Sequence, residues 1–107
     1  QLYHTDPGSH NRSLASNQIS NNTLCSYAVT ADGTNAKVYK NGSLVDTVSF
    51  TGVLSNVTRT QNYIGRSRAG NNAYYEGDIA VAAIFSRALS DSEITEMHNH
   101  YNSIYNL

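Results

Sequence analysis

Glu76 and Asp78 stand two residues apart in the stretch Tyr74-Tyr75-Glu76-Gly77-Asp78. On a strand, residues at that spacing point to one face, as two carboxylates sharing acid–base work must. Hard-cation chemistry is the other use for acids. Asp32, Asp46, Asp78 and Asp91 are available, and loop carbonyls or Asn side chains could complete an oxygen shell around Ca²⁺. No Asp-x-Asp-x-Asp string occurs, and Asp32 and Asp91 fall where a turn and a helix start are expected. Asp32 and Asp78 are the candidate metal ligands, and no other cofactor is expected. His98 and His100 lie two apart on a predicted helix, about 200° around it, and so cannot clasp one ion. All four histidines, with His4 and His10, are expected at the solvent rim.

The run "RSRAGNNAYY" gathers a different chemistry. Exposed aromatic rings offer a platform for a sugar ring, and neighbouring amides and guanidinium groups supply hydrogen bonds. Arg66, Arg68, Asn71, Asn72, Tyr74 and Tyr75 form the candidate glycan-binding set. N-x-[ST] triplets at Asn11, Asn21, Asn41 and Asn56 are candidate N-glycosylation sites. Chance placement gives about 2.7 such triplets, so composition alone accounts for most of the four.

These groups sit on a chain of 107 residues, long enough for one domain with a modest core. Seven basic and eight acidic residues leave a net charge of −1. That sparse, balanced charge argues against a nucleic-acid partner, which calls for a clustered basic face, and against a polybasic membrane anchor. No apolar run approaches the roughly 20 residues of a membrane span, and no signal-peptide pattern is present. Gln1 opens the sequence and Met97 is the sole methionine, so the chain is expected to be processed or part of a longer one. Cys25 is the one cysteine, which rules out an intrachain disulfide; it reads as a small apolar strand residue.

The elements that must position the candidate residues follow from the pattern. Residues 1–23 are polar, punctuated by Asp6-Pro7-Gly8, and read as an arm or edge segment. "LCSYAVTA" predicts a strand with Cys25, Tyr27, Val29 and Ala31 on one face. Asp32-Gly33 turns the chain into a second strand, "AKVYK". Asn41-Gly42 then supplies a type I′ hairpin turn into a third, "SLVDTVSF". A short strand "NYIG" is expected after a looser stretch. The unalternating run "DIAVAAIF" predicts a strand covered on both faces. Ser90 and Glu93 fit a capping box, with Asp91 and Glu93 at the positive end of the helix dipole. Ile94, Met97, Tyr101 and Ile104 or Tyr105 then form one helical stripe. Strands followed by one terminal helix, without βαβ alternation, indicate a mostly antiparallel β-sandwich.

Taken together, "YAVTADGTNAKVYKNGSLVDT", "NYIGRS", "YYEGDIAVAAIFSRALSDSEI" and the terminal "YNSIYNL" resemble the laminin G-like, concanavalin A-like lectin/glucanase jelly roll over residues 24–107. The resemblance implies an all-β antiparallel sandwich, abbreviated or incomplete at its N-terminus, with a short C-terminal α-helix. It implies that Gly77 allows a close approach and that Ile79, Val81, Ile84 and Phe85 are core residues. Arg87-Ala88-Leu89-Ser90 becomes the corner into the capped helix. β-Glucanases of the superfamily carry a strand resembling E-x-D-x-x-E. Here the third acid is replaced by Val81, so catalysis is not expected. Leu24 stands near the usual tryptophan, and the strands that normally precede "AVT" are replaced by a polar segment.

The expected organisation is therefore a polar segment, 1–23, and a jelly-roll module, 24–107. Its expected role is that of a non-catalytic extracellular or cell-surface module for structure or adhesion. Partner subunits would complete it by strand donation, giving a homo-oligomer, polymer or filament. The alternative is a lectin-like carbohydrate-binding module. Neither nucleic acid nor membrane insertion is expected.

Overall fold

The computed structural model describes residues 2–4, 10–12, 20–49, 58, 60, 62–66 and 74–107. The chain divides into two compact units, residues 1–54 with 85–107, and residues 55–84.

In the first unit, β1 (Leu2–His4) and β2 (His10–Arg12) pair antiparallel, with Tyr3 opposite Asn11. A three-stranded antiparallel meander follows: β3 (Tyr27–Ala31), β4 (Asn35–Lys40) and β5 (Ser43–Ser49), in that order. Its two turns have local causes. Asp32 accepts hydrogen bonds on Oδ1 from the Thr34 and Asn35 amides, at 2.8 and 2.7 Å, and Gly33 takes φ 90°. The second turn is the expected two-residue hairpin, with Asn41 at φ 49° and Gly42 at φ 75°. Both positive φ values match the right-handed twist of the flanking strands. Between Val38 and Tyr39 the β4–β5 register shifts by one residue, a bulge that leaves Val45 without an opposite number.

The sequence places the α-helix start correctly. Ser90 caps α1 (Asp91–Tyr105), accepting from the Glu93 amide while the Glu93 carboxylate accepts from the Ser90 N–H. At the other end Asn106 takes φ 54° and its N–H donates to the Asn102 carbonyl.

The helix covers the less apolar face of the meander. Cross-strand partners share a face, so Ala28, Thr30, Lys37 and Tyr39 lie together, and Tyr27, Val29, Ala31 and Val38 lie on the other side. α1 packs on the first group. Ile94 is 3 % exposed, Tyr39 is buried, and Met97 and Tyr101 complete the contact above Ala28. The small side chains of Ala28 and Thr30 let the helix approach. The more apolar face remains open at Tyr27 (46 % exposed) and Val29 (52 %), although Ala36 is buried.

The described part of this unit is thus mostly β with one C-terminal helix, a partial concanavalin A-like arrangement. A second sheet facing the meander is not among the described residues. Farther along the helical stripe, Ile104 is exposed, and Tyr105 is partly covered by stacking on Tyr101 at 6.4 Å.

In the second unit, the expected strand at 62–65 is reduced to one antiparallel bridge between Arg66 and Tyr74. The Tyr75 amide donates to the Gly65 carbonyl at 2.8 Å beside it. The run 78–85, whose last residue belongs to the first unit, forms no strand among the described residues. Ile79, Val81, Ile84 and Phe85 are exposed rather than core, Ile84 at 93 %. An apolar run supplies the reason to be covered, but ladder partners are what make it a strand. Gly77 does permit a close approach, and what approaches is a side chain: a Cβ there would meet the Tyr75 ring at 3.1 Å.

Candidate functional site

Of three polar clusters around the helix, the first and third tie it to the sheet side and the second clamps its own start. In the first, Lys37 Nζ and the Tyr39 hydroxyl both donate to Asp91 Oδ1, at 2.8 and 2.6 Å. The Lys37 ammonium, and after it the Tyr39 hydroxyl, hold the Asp91 carboxyl below its ordinary range. Burial, then the Asp91 hydrogen bond, push the Tyr39 phenol up, and the same carboxylate raises Lys37. Asp91 is thus fixed as an acceptor between two elements.

In the second cluster, Arg87 grips Glu93 with two parallel bonds, Nη1 to Oε2 at 2.8 Å and Nη2 to Oε1 at 2.5 Å. Glu93 Oε2 also accepts from the Ser90 amide at 2.8 Å. The guanidinium, followed by the Ser90 N–H, lowers the Glu93 carboxyl to about 2. Sequence reasoning found the capping box and missed the arginine. Its signal was the charge pairing of Arg87 with an N3 glutamate six residues on.

The third cluster surrounds the Asn41-Gly42 turn. The Asn41 N–H donates to the Ser26 carbonyl, and the Ser26 N–H donates back to Asn41 Oδ1. Thr95 Oγ1 donates to the Gly42 carbonyl at 3.0 Å. Ser26 Oγ and His98 Nδ1 share a hydrogen bond at 2.8 Å across 72 residues of chain. His98 is therefore half-buried and not the rim residue expected. Gly42 is required beneath it, since a Cβ would lie 3.0 Å from the His98 side chain. A serine–imidazole pair invites a nucleophile reading, but the adjoining cavity of about 20 Å³ has room for about one water molecule. The pair holds helix to sheet.

The remaining candidates separate as follows. Asp32 serves its turn, and the Asn35 and Thr34 amides lower its carboxyl. Asp78 is exposed in the other unit. Among the described residues no three His, Cys, Asp or Glu side chains gather as a metal site. Asn21 is exposed in a turn, Asn11 lies in β2, and Asn41 is half-buried with Oδ1 engaged. Asn56 lies outside the described residues.

Of the glycan set, Arg68, Asn71 and Asn72 also lie outside the described residues, while Arg66, Tyr74 and Tyr75 are exposed. The Arg66 guanidinium carbon stands 4.9 Å from the Tyr63 ring centre and 5.6 Å from that of Tyr74. Tyr63 is the member sequence reasoning omitted, and it sits three residues before the arginine. The second unit thus presents a cation within reach of two aromatic rings. No helix among the described residues is long and apolar enough to cross a membrane.

Comparison with known proteins fits this architecture. One solved structure that matches, at 2.1 Å, is residues 221–444 of an S-layer domain-containing protein from Clostridium thermocellum ATCC 27405. It is 25% identical, with a TM-score of 0.67, over 87% of this chain and 46% of that one. The chain therefore spans less than half the length of that structure. No curated protein matches the sequence. The laminin G-like sequence model of the concanavalin A-like lectin/glucanases superfamily matches residues 1–95, so the match takes in the polar opening segment as well. The chain belongs to the concanavalin A-like lectin/glucanases superfamily.

Proposed function

We propose that this chain is a non-catalytic, extracellular structural or adhesion module that assembles with neighbouring protein subunits. The observation that carries the reading is the open apolar sheet face, with Tyr27 and Val29 about half exposed while the helix covers the opposite side. In a jelly-roll sandwich a second sheet packs about 10 Å away over such a face. Strands from another polypeptide can pack over that face or extend an open sheet edge by β-augmentation, and donation that does not close into a ring extends into a filament. The similarity to an S-layer domain-containing protein supports a place at the cell surface.

Light scattering with negative-stain microscopy on the purified chain tests this. The expected result is ordered species larger than a monomer, reduced in size by Val29→Lys and by deletion of residues 1–23. A cooperatively folding monomer, unchanged by Val29→Lys, would sink the assembly reading.

A second reading, a lectin-like carbohydrate-binding module, is favoured by the exposed cluster of Tyr63, Arg66, Tyr74 and Tyr75. Retention on a glycan array, lost in Tyr74→Ala, is its test. Binding by a chain that remains monomeric would put this reading first.

A further inference from the structure

We propose that the groove between α1 and the segment 85–89 binds an extended, arginine-bearing segment of a different protein, with Glu96 as the partner of the guanidinium. This site shares no residue with the open sheet face or with the tyrosine cluster, so it stands or falls apart from either reading.

The groove holds about 450 Å³ and opens to solvent. Its helical wall runs from Glu93 to Tyr101, about 12 Å at about 1.5 Å per residue, which is the span of about four residues of extended chain. Phe85, Leu89, Met97 and Tyr101 give it an apolar and aromatic lining. Leu89, Met97 and Tyr101 are half-buried, and Phe85 is 51 % exposed. The two walls are tied together. Arg87, on the segment, holds Glu93, on the helix, through two parallel hydrogen bonds, and Arg87 Nη1 also donates to the Ala88 carbonyl at 3.3 Å. A groove shaped in advance loses less conformational freedom on binding.

Charge then selects the occupant. The charged and titratable side chains that line the groove are Arg87, Glu93, Glu96 and His100. Arg87 and Glu93 neutralise each other, and the His100 ring lies edge-on to Tyr101 at 5.2 Å. Glu96 is exposed, one turn along from Glu93, and makes no hydrogen bond or ion pair among the described residues. One carboxylate is therefore left over beside aromatic and thioether surface. The rest of the unit does not compensate it: Arg12, Lys37, Lys40 and Arg87 are outnumbered by Asp6, Asp32, Asp46, Asp91, Glu93 and Glu96.

An arginine side chain suits each part of this lining. Its aliphatic stem covers apolar surface while the charged head stays at the rim. Its flat guanidinium stacks on aromatic rings, and its fork matches one carboxylate. Met97 adds a flexible thioether that adapts to the apolar residues on either side of the arginine. A free amine would leave most of the apolar floor uncovered, so a protein segment is the occupant. Arg12, Arg59, Arg66 and Arg68 of the chain itself are flanked by Asn, Thr, Gly, Ser and Ala rather than by large apolar residues, which makes a different protein the source.

NMR titration of the isotope-labelled chain at pH 8, where an imidazole carries no charge, tests this. The probes are acetylated, amidated pentapeptides with a central arginine and varied apolar flanks, and the same peptides with citrulline, its neutral isostere. The arginine peptides are expected to shift the Glu96, Met97 and His100 amides. They are expected to bind about tenfold more tightly than the citrulline peptides, as a charge-assisted bidentate pair allows. Glu96→Gln, at an exposed position, is expected to erase that preference. Phe85→Ala is expected to weaken both peptides alike, and Glu76→Gln, an equal loss of charge in the other unit, to change neither. Equal binding of arginine and citrulline peptides would overturn the role of Glu96. A preference that survives Glu96→Gln would overturn the site, and no shift with any peptide at millimolar concentration would overturn the groove as a docking surface. Shifts of the same three amides on simple dilution, without peptide, would make a second copy the occupant and overturn the assignment to a different protein.

Discussion

The segment 74–84 is richer in apolar residues than the capped helix with its meander, yet the two treat them in opposite ways. Ile94 is buried against Tyr39 and Ala28, whereas Ile84, in a denser apolar run, stands almost wholly in solvent. The difference lies in what supplies the cover. Around Ile94 each partner is brought by a short-range device: the two-residue Asn41-Gly42 turn, the Ser90 cap, the Arg87–Glu93 pair. The run containing Ile84 shows no such device among the described residues. Apolar sequence states a demand for burial, and local chemistry or a neighbouring strand has to meet it.

The largest test of that comparison is a matched pair of substitutions. Ile94→Ala is expected to destabilise the chain by about 2–5 kcal/mol, the cost of truncating a buried side chain and leaving a cavity. Ile84→Ala is expected to change stability by less than about 0.5 kcal/mol, as at other exposed positions. Urea unfolding followed by circular dichroism reads both. A comparable loss at Ile84 would mean that the run is covered in solution, and the contrast between the regions would fail.

Gly42→Ala comes next and sharpens the first half of the comparison. A Cβ there meets His98 at 3.0 Å, on a residue at φ 75°. The expected cost is about 1–3 kcal/mol from left-handed strain plus displacement of His98. Pairing it with His98→Ala separates the two. If the helix contact matters, the double variant recovers part of the loss; if only backbone strain counts, it recovers nothing. Ser90→Ala is smaller, about 1 kcal/mol, and is expected to show as helix fraying in amide exchange across the first turn of α1.

How much of this was legible follows the same division. The meander, both turns and the cap were readable because Asp32-Gly33, Asn41-Gly42 and Ser90-x-x-Glu93 act within a few residues of themselves. The face covered by the helix was not legible, because alternation shows only which residues share a side, and Tyr27 and Val29 outweigh Ala28 and Thr30 in hydrophobicity. Alternation cannot tell which side a helix 60 residues later will choose, and the small residues were the better clue. His98 was placed at the rim for a related reason: its partner, Ser26, is 72 residues away. In the candidate sugar site, the Arg66–Tyr74 association was legible as a cluster of types. Tyr63 was passed over because it lies on the far side of Gly65, in what read as a separate strand.

The smallest expected effect concerns acid. Arg87, and after it the Ser90 amide, lower the Glu93 carboxyl from 4.5 to about 2, and Lys37 acts in the same direction on Asp91. A carboxyl depressed by folding binds fewer protons in the folded chain than in the unfolded one. Its contribution is therefore fully present above pH 4.5 and is lost as pH falls toward 2. Both pairs are exposed to solvent, so screening keeps the effect small and salt-sensitive. Melting temperatures of the native chain and Glu93→Gln, taken from pH 7 to pH 2 at low salt, check the sign. The two curves are expected to lie apart at neutral pH and to converge in acid. A gap of constant width would mean that Glu93 acts at the helix start through shape and neutral hydrogen bonding, and that the Arg87 clamp adds no charge-dependent stability to the capped helix.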